Sequence, residues 1–404
     1  MPELIYSKDE VDNLFTEFKT GTGNVLNQIG SDIVTLSEDL QKVKAQMDAL
    51  TKPPGKPFET DFSKIHGVNW NSSIMKWSEG QAVAPTSSIN TAEIDKFMDI
   101  CLVNGWNMIR LVVYQECYVG HKQQFVAELI KTLDSATERG IGVLIDNHQW
   151  RIGGGAYTDS QGVPKKYLQG YTITGIPKSY DQADVAPDAV KWWQDFYTNQ
   201  LRGFPEVQGD FEDYLVSLVD ICDNYDNVLG YEILNEPQTT RLEDYVEMGK
   251  FNTRMAKAIR ARSQKDIYYC RDNSIGALWQ PRNIERPKLI PKDVTGLVYD
   301  NHSYSLQRMK NTFVAENKTA IANRSDIKTM IGEFAHQIQF DPTNIQTPEN
   351  TRLVLALARS AGYAIAWWAL GLFGAGDWKR LANADGTLRL EGTTYAEQIK
   401  VVYA

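Results

Sequence analysis

Asn227-Val-Leu-Gly-Tyr-Glu-Ile-Leu-Asn-Glu-Pro237 is the stretch on which the reading of this chain turns. Its apolar run, Val228–Leu234, is broken only by Glu232 and then stops at Asn235, Glu236 and Pro237. A run this short, apolar on both faces, predicts a strand in a covered parallel sheet. Helical patterns flank it, over Phe211–Asn224 before and Arg241–Arg262 after. The same unit recurs outward in both directions. Strands are predicted at Ile65–Trp70, Met108–Val113, Gly142–Asn147, Ile267–Arg271, Gly296–Asn301, Lys328–Gly332 and Tyr363–Ala369. Further helices are predicted at Thr91–Asn104, Gln123–Arg139, Phe313–Asn323, Glu349–Ala361 and Tyr395–Val402. Eight such units predict an α/β fold, a (β/α)8 TIM barrel. The interval Trp150–Asp188, after the third strand, is read as a long loop on the barrel's catalytic face.

The first 57 residues follow another pattern. Leu26, Ile29, Ile33, Leu36, Leu40, Val43, Met47 and Leu50 are spaced 3, 4, 3, 4, 3, 4 and 3. That is a heptad seam, narrower than the stripe of an ordinary globular helix. It predicts a coiled coil and a homo-oligomer formed through residues 26–50; packing of the stripe on the barrel is the alternative. Lys52-Pro-Pro-Gly-Lys-Pro57 predicts a stiff linker. The expected domains are therefore a helical segment 1–51, a linker 52–57 and a catalytic barrel 58–404.

The 404 residues carry 42 Lys and Arg against 51 Asp and Glu, a net charge of −9 with no basic run, which argues against nucleic acid as partner. No apolar stretch reaches the length of a membrane span. The N-terminus, MPELIYSKDE, has neither a basic n-region nor an apolar h-region. Cys101, Cys117, Cys222 and Cys270 form no CxxC pair and stand at no metal-ligand spacing to a His, so buried free thiols are expected and no metal site. Ten Trp, 19 Tyr and 14 Phe suit either a sugar-stacking cleft or a large core.

A TIM barrel carries its chemistry at the C-terminal ends of its strands. Those ends read Asp146-Asn147-His148-Gln149-Trp150, Asn235-Glu236-Pro237, Asp300-Asn301-His302-Ser303-Tyr304, Gly332-Glu333-Phe334 and Trp367-Trp368, with Arg110 inside the second strand. Glu236 and Glu333 each close an apolar run, where a charge is costly unless paired or used. Two carboxyl groups facing one bond are what glycoside hydrolysis requires.

With these residues in place, about 300 residues of the catalytic part resemble glycoside hydrolase family 5, the cellulase family of the 4/7 superfamily of barrel glycosidases, and the first 57 residues lie outside the resemblance. The matching stretches are I-R-L-V-V (109–113), L-I-D-N-H (144–148), N-V-L-G-Y-E-I-L-N-E-P (227–237), Y-D-N-H-S-Y (299–304), I-G-E-F (331–334) and A-W-W-A-L (366–370), in the family's order. The resemblance implies Glu236 as acid/base, Glu333 as nucleophile and Arg110 as the group that keeps the nucleophile ionised. It implies that Asn235 binds the sugar 2-hydroxyl, that Tyr304 hydrogen-bonds the nucleophile and that His302 orients the acid. His148 and Trp368 would line the −1 subsite, with Trp367 turned to the core. Trp150 and Trp279 are candidate sugar platforms by their loop positions, and Asp146 is expected to support the rim or orient His148. No cofactor is implied. The expected activity is a retaining endo-β-1,4-glucanase on a β-linked polysaccharide or oligosaccharide, outside the cell by function. The family also spans β-mannanases, xyloglucanases, exo-β-1,3-glucanases and glycolipid-cleaving enzymes. The competing reading is a silent carbohydrate-binding barrel, which would be expected to have lost one carboxylate.

Overall fold

The computed structural model describes residues 55–71, 91–149, 162–172, 187–239, 241–274, 284–335, 347–369, 381–383 and 386–404. All belong to the second of two compact units, Met1–Pro53 and Pro54–Ala404. The heptad stretch 26–50, Trp150 and Trp279 lie outside the described residues.

Eight strands close into a parallel barrel: β1 (His66–Asn71), β2 (Met108–Val113), β3 (Gly142–Asn147), β4 (Val228–Glu232), β5 (Asp266–Cys270), β6 (Leu297–Asp300), β7 (Lys328–Phe334) and β8 (Ala364–Trp367). Each pairs with its neighbours in sequence, and β8 closes on β1. Helices stand between them: α1 (Thr91–Val103), α2 (Gln115–Arg139), α3 (Pro187–Tyr197), α4 (Val207–Cys222), α5 (Asp244–Arg260), α6 (Leu306–Asn311), α7 (Phe313–Ala320), α8 (Pro348–Ala361) and α9 (Leu390–Tyr403). This is the (β/α)8 TIM barrel that the alternation predicts. Helix ends follow local chemistry: at α8, Thr347 accepts from the Asn350 amide, Pro348 opens the first turn and Gly362 closes the helix at φ 73°.

Two differences from expectation matter for the site. Helix α3 starts where the interval read as one loop ends and runs through a stretch for which no helix is predicted, and its Trp192, Trp193 and Phe196 are buried. Helix α2 begins eight residues earlier than its apolar periodicity suggests, and carries a kink at His121.

The core has two parts. The larger packs the outer faces of the strands against the helices. The smaller gathers Ile65, Met108, Leu144, Tyr268, Val298, Met330, Ala364 and Ala366, which alternate along their strands with residues of the outer core and so fill the barrel itself. Two residues beyond Met108, Leu144 and Val298 come Arg110, Asp146 and Asp300, with Glu232 paired beside Asp146, all fully or almost fully buried. The barrel interior therefore passes from an apolar floor to a charged layer within one side-chain period.

Candidate active site

Arg110 is the centre of the charged layer. Its Nη2 and Nε donate to Glu232 Oε2 at 2.7 and 3.0 Å. Its Nη1 lies 2.7 Å from Asp146 Oδ2 and donates to Asn69 Oδ1 at 2.8 Å and to Glu333 Oε1 at 3.2 Å. Nη2 also reaches Asn235 Oδ1 at 2.8 Å, and Nε stands 3.5 Å from Asp300 Oδ2. Burial disfavours the guanidinium charge, but Asp146, Glu232, Asp300 and Glu333 overrule it and hold the proton well beyond the ordinary arginine range. Burial pushes the Glu232 carboxyl well up, against Arg110 and with Asp146 and Asp300.

Glu333 reaches this layer because β7 carries an irregularity. Ile331 pairs with Ile365, and Phe334 pairs with Trp367, so three steps on β7 match two on β8. Ile331 and Phe334 both stay in the outer core. The extra residue lets Gly332 and Glu333 turn to the site without unseating Phe334. A Cβ at Gly332 would stand 2.0 Å from Asp300 Oδ2, so this position has no room for a side chain. Asp300 Oδ1 in turn accepts from the Gly332 amide at 2.7 Å. The Glu333 carboxylate takes Arg110 on Oε1 and the Tyr304 hydroxyl on Oε2, the latter at 2.6 Å.

Glu236 has φ 38°, the left-handed region that costs a non-glycine residue about 1–3 kcal/mol. Its Oε1 lies 2.8 Å from His302 Nδ1. Burial alone would raise this carboxyl; the hydrogen bond and charge of His302 prevail and bring it down to about 2. His302 moves the other way. Burial opposes its charge, but Glu333, Cys270 and Asp300 favour the imidazolium and raise it well above the ordinary value. An oxygen of Glu236, a nitrogen of His302 and an oxygen of Glu333 all lie within 4.8 Å of one another.

His148 Nδ1 lies 2.7 Å from Asp146 Oδ2, the oxygen that also faces Arg110. Its ring stacks on Trp368, with centroids 5.2 Å apart and planes at 16°. Trp367 is fully buried against Phe334 and Tyr395. The Asn235 side chain is held by Arg110 and donates to the Gln149 carbonyl at 3.0 Å. Eight of the ten residues singled out from sequence, Arg110, His148, Asn235, Glu236, His302, Tyr304, Glu333 and Trp368, are thus brought to one end of the barrel by these contacts.

Sequence reasoning missed Asn69, Glu232 and Gln149. Asn69 joins Arg110 to the carbonyls of Gly332 and Trp367. Glu232 had one legible signal: it is a charge inside an apolar strand, on the face that ends in the site.

Among the described residues, two groups have the spacing of cation ligands: Glu236, His302 and Glu333, and Glu232, Cys270, Asp300 and His302. In both, the Arg110 guanidinium already supplies positive charge, 3.2 Å from Glu333 and 2.7 Å from Glu232.

Comparison with known proteins agrees with this architecture. A family model described as Cellulase (glycosyl hydrolase family 5) matches residues 66–374. Endoglycoceramidase I of Rhodococcus hoagii (strain 103S) is 25% identical over 317 residues, covering 69% of this chain; the chain spans 61% of that protein's length. Among solved structures, endo-glycoceramidase II from Rhodococcus sp. in its iminocyclitol complex superposes with a TM-score of 0.63 at 18% identity, over 82% of this chain and 78% of that one. An endogalactoceramidase gives 0.62 at 18% identity over 86% and 84%. The β-glucanase SdGluc5_26A from Saccharophagus degradans gives 0.53 at 14% identity over 84% and 88%. With the family model spanning the whole barrel from β1 past β8, the chain belongs to glycoside hydrolase family 5.

Proposed function

We propose that this glycoside hydrolase is a retaining endo-β-glycosidase, with Glu333 as nucleophile and Glu236 as acid/base, that cleaves the bond between a sugar headgroup and a ceramide-type lipid. The two carboxylates face each other across the site, with one oxygen of each within 4.8 Å of the other, and this proximity carries the mechanistic reading. Retaining enzymes hold their carboxyl groups about 5–5.5 Å apart, whereas inverting enzymes leave about 6.5–9.5 Å for a water.

In the first step a Glu333 oxygen attacks the anomeric carbon, and the sugar's bond to the leaving oxygen breaks. Arg110 and Tyr304 hold Glu333 as an oriented anion. The leaving oxygen takes a proton from Glu236, whose pair with His302 stores it. In the second step Glu236, now a carboxylate, accepts a proton from water, whose oxygen displaces Glu333. Trp368, backed by His148, offers a flat face to the sugar ring.

The substrate class is supported by the relatives, since Endoglycoceramidase I is similar over 69% of this chain. A second reading, the endo-β-1,4-glucanase expected from sequence, is supported by the family's description and by the fold of the β-glucanase. A substrate panel separates them: lactosylceramide in detergent micelles beside carboxymethyl cellulose, barley β-glucan and galactomannan, with Glu333→Gln as control. Release of ceramide together with free sugar, lost in the variant, is the expected result. Release confined to the polysaccharides would overturn the glycolipid reading and favour the glucanase or mannanase.

A further inference from the structure

We infer that Gln149 is the positioning residue that sets the backbone of Glu236, an inference that rests on the acid/base reading of Glu236. The Nε2 of Gln149 donates to two consecutive carbonyls, that of Asn235 at 2.5 Å and that of Glu236 at 3.0 Å. These belong to the two peptide planes that flank the Glu236 Cα. Rotation about φ turns one plane and rotation about ψ turns the other, so a single amide nitrogen bonded to both fixes the pair.

That restraint falls on a residue that needs it. Glu236 sits at φ 38°, a conformation L side chains rarely adopt, and relaxation to an ordinary φ would swing its carboxyl away from His302 and Glu333. The neighbouring contacts tie both ends of the clamp. Asn235 returns a hydrogen bond from its Nδ2 to the Gln149 carbonyl at 3.0 Å, and the Asn235 amide donates to the Asn147 carbonyl at 3.0 Å.

Gln149 is itself held. It is 1% exposed. It lines a cavity of only about 20 Å³ together with Trp192, Trp193 and Phe196 of α3, room for about one water. Helix α3, to which the sequence reading assigns no element, is therefore the wall behind the clamp. Gln149 acts through the main chain of Glu236, not by touching sugar or reacting atoms.

The test uses Gln149→Leu, which keeps the bulk and removes both donors, with Glu236→Ala as reference. Substrates are a β-glycoside with a poor leaving group and the 2,4-dinitrophenyl glycoside of the same sugar. Expected for Gln149→Leu is a fall of about 10–100-fold in kcat on the first substrate, with KM little changed and the melting curve still cooperative. On the dinitrophenyl glycoside, where departure needs no acid, the missing base slows release of the enzyme-bound sugar. Azide, which needs no base, should restore turnover and give the β-glycosyl azide. Unchanged kcat in Gln149→Leu, or a loss that azide leaves untouched, overturns the clamp. Failure of azide to rescue Glu236→Ala overturns instead the acid/base reading beneath it. Should the leucine variant not fold, Gln149→Met decides by the same readouts.

Discussion

The floor and the middle of the barrel interior are built on strands of the same barrel, about one side-chain period apart, yet they are opposite materials. The floor is Ile65, Met108, Leu144, Tyr268, Val298, Met330, Ala364 and Ala366, packed as an ordinary core. The middle is one guanidinium among four carboxylates, with Asn69 and Asn235 filling its remaining donors. The floor gains from burial itself. The middle loses hydration on burial and recovers it only through mutual pairing, so its value lies in holding Glu333 in place rather than in net stability. One barrel thus separates fold stability and chemistry by about one alternation of side chains, and the boundary between them is open to experiment.

Removing the centre of the middle layer should have the largest effect. Arg110→Met leaves Asp146, Glu232, Asp300 and Glu333 without their common counter-charge. A loss of about 3–5 kcal/mol in denaturant unfolding is expected, together with loss of activity. Stability within about 1 kcal/mol of the parent would show that the carboxylates neutralise on their own, and the contrast between the layers would break.

Two residues below, Met108→Ala should cost about 2–5 kcal/mol through a cavity, while kcat per folded molecule stays within about twofold. A large fall in kcat there would mean that the floor positions the site directly. Gly332→Ala tests the seam between the layers. Its Cβ would meet Asp300 Oδ2 at 2.0 Å, so about 1–3 kcal/mol of destabilisation is expected, with kcat lowered by displacement of Glu333. Equal stability and kcat in this variant would mean that β7 can shift freely.

The smallest effect is on pH dependence. In the parent, the pair of Glu236 and His302 holds one proton: His302 is raised, and Glu236 is brought down to about 2. The alkaline limb of kcat/KM therefore reports loss of that proton from the raised group. His302→Asn removes the imidazolium, and Glu236 alone must then hold the proton, with burial raising it but no histidine above it. The limb should move to lower pH, by about one unit or more. An unmoved limb in a full pH–rate profile would separate His302 from the acid.

How much of this was legible in sequence differs between the same two layers. The floor and the outer core betray themselves as short apolar runs, and all eight barrel strands were found that way, two of them, Met108–Val113 and Gly142–Asn147, to the residue. The rim residues were legible because each breaks an apolar run at its end. Glu232 and Asn69 were not singled out, because a lone polar residue within a strand reads as noise until its partners across the barrel are known. Helix α3 was missed because Lys191-Trp-Trp-Gln-Asp-Phe-Tyr197 lies beside a Gly- and Tyr-rich interval and is dense in aromatic residues, which are indifferent helix formers; its helical state comes from packing Trp192, Trp193 and Phe196 into the core. The turn of Glu333 into the site depends on an irregularity in strand pairing, which no single strand's alternation contains.

The central claim is that Glu333 forms the covalent bond to sugar. The most direct measurement is peptide mapping by mass spectrometry after reaction with a 2-deoxy-2-fluoro-glycosyl fluoride of the accepted sugar, whose enzyme adduct turns over slowly. One added sugar per chain is expected, located on the peptide that holds Glu333 and absent from Glu333→Gln. A sugar attached at any other residue, or steady release of the inverted sugar with no adduct, would contradict it.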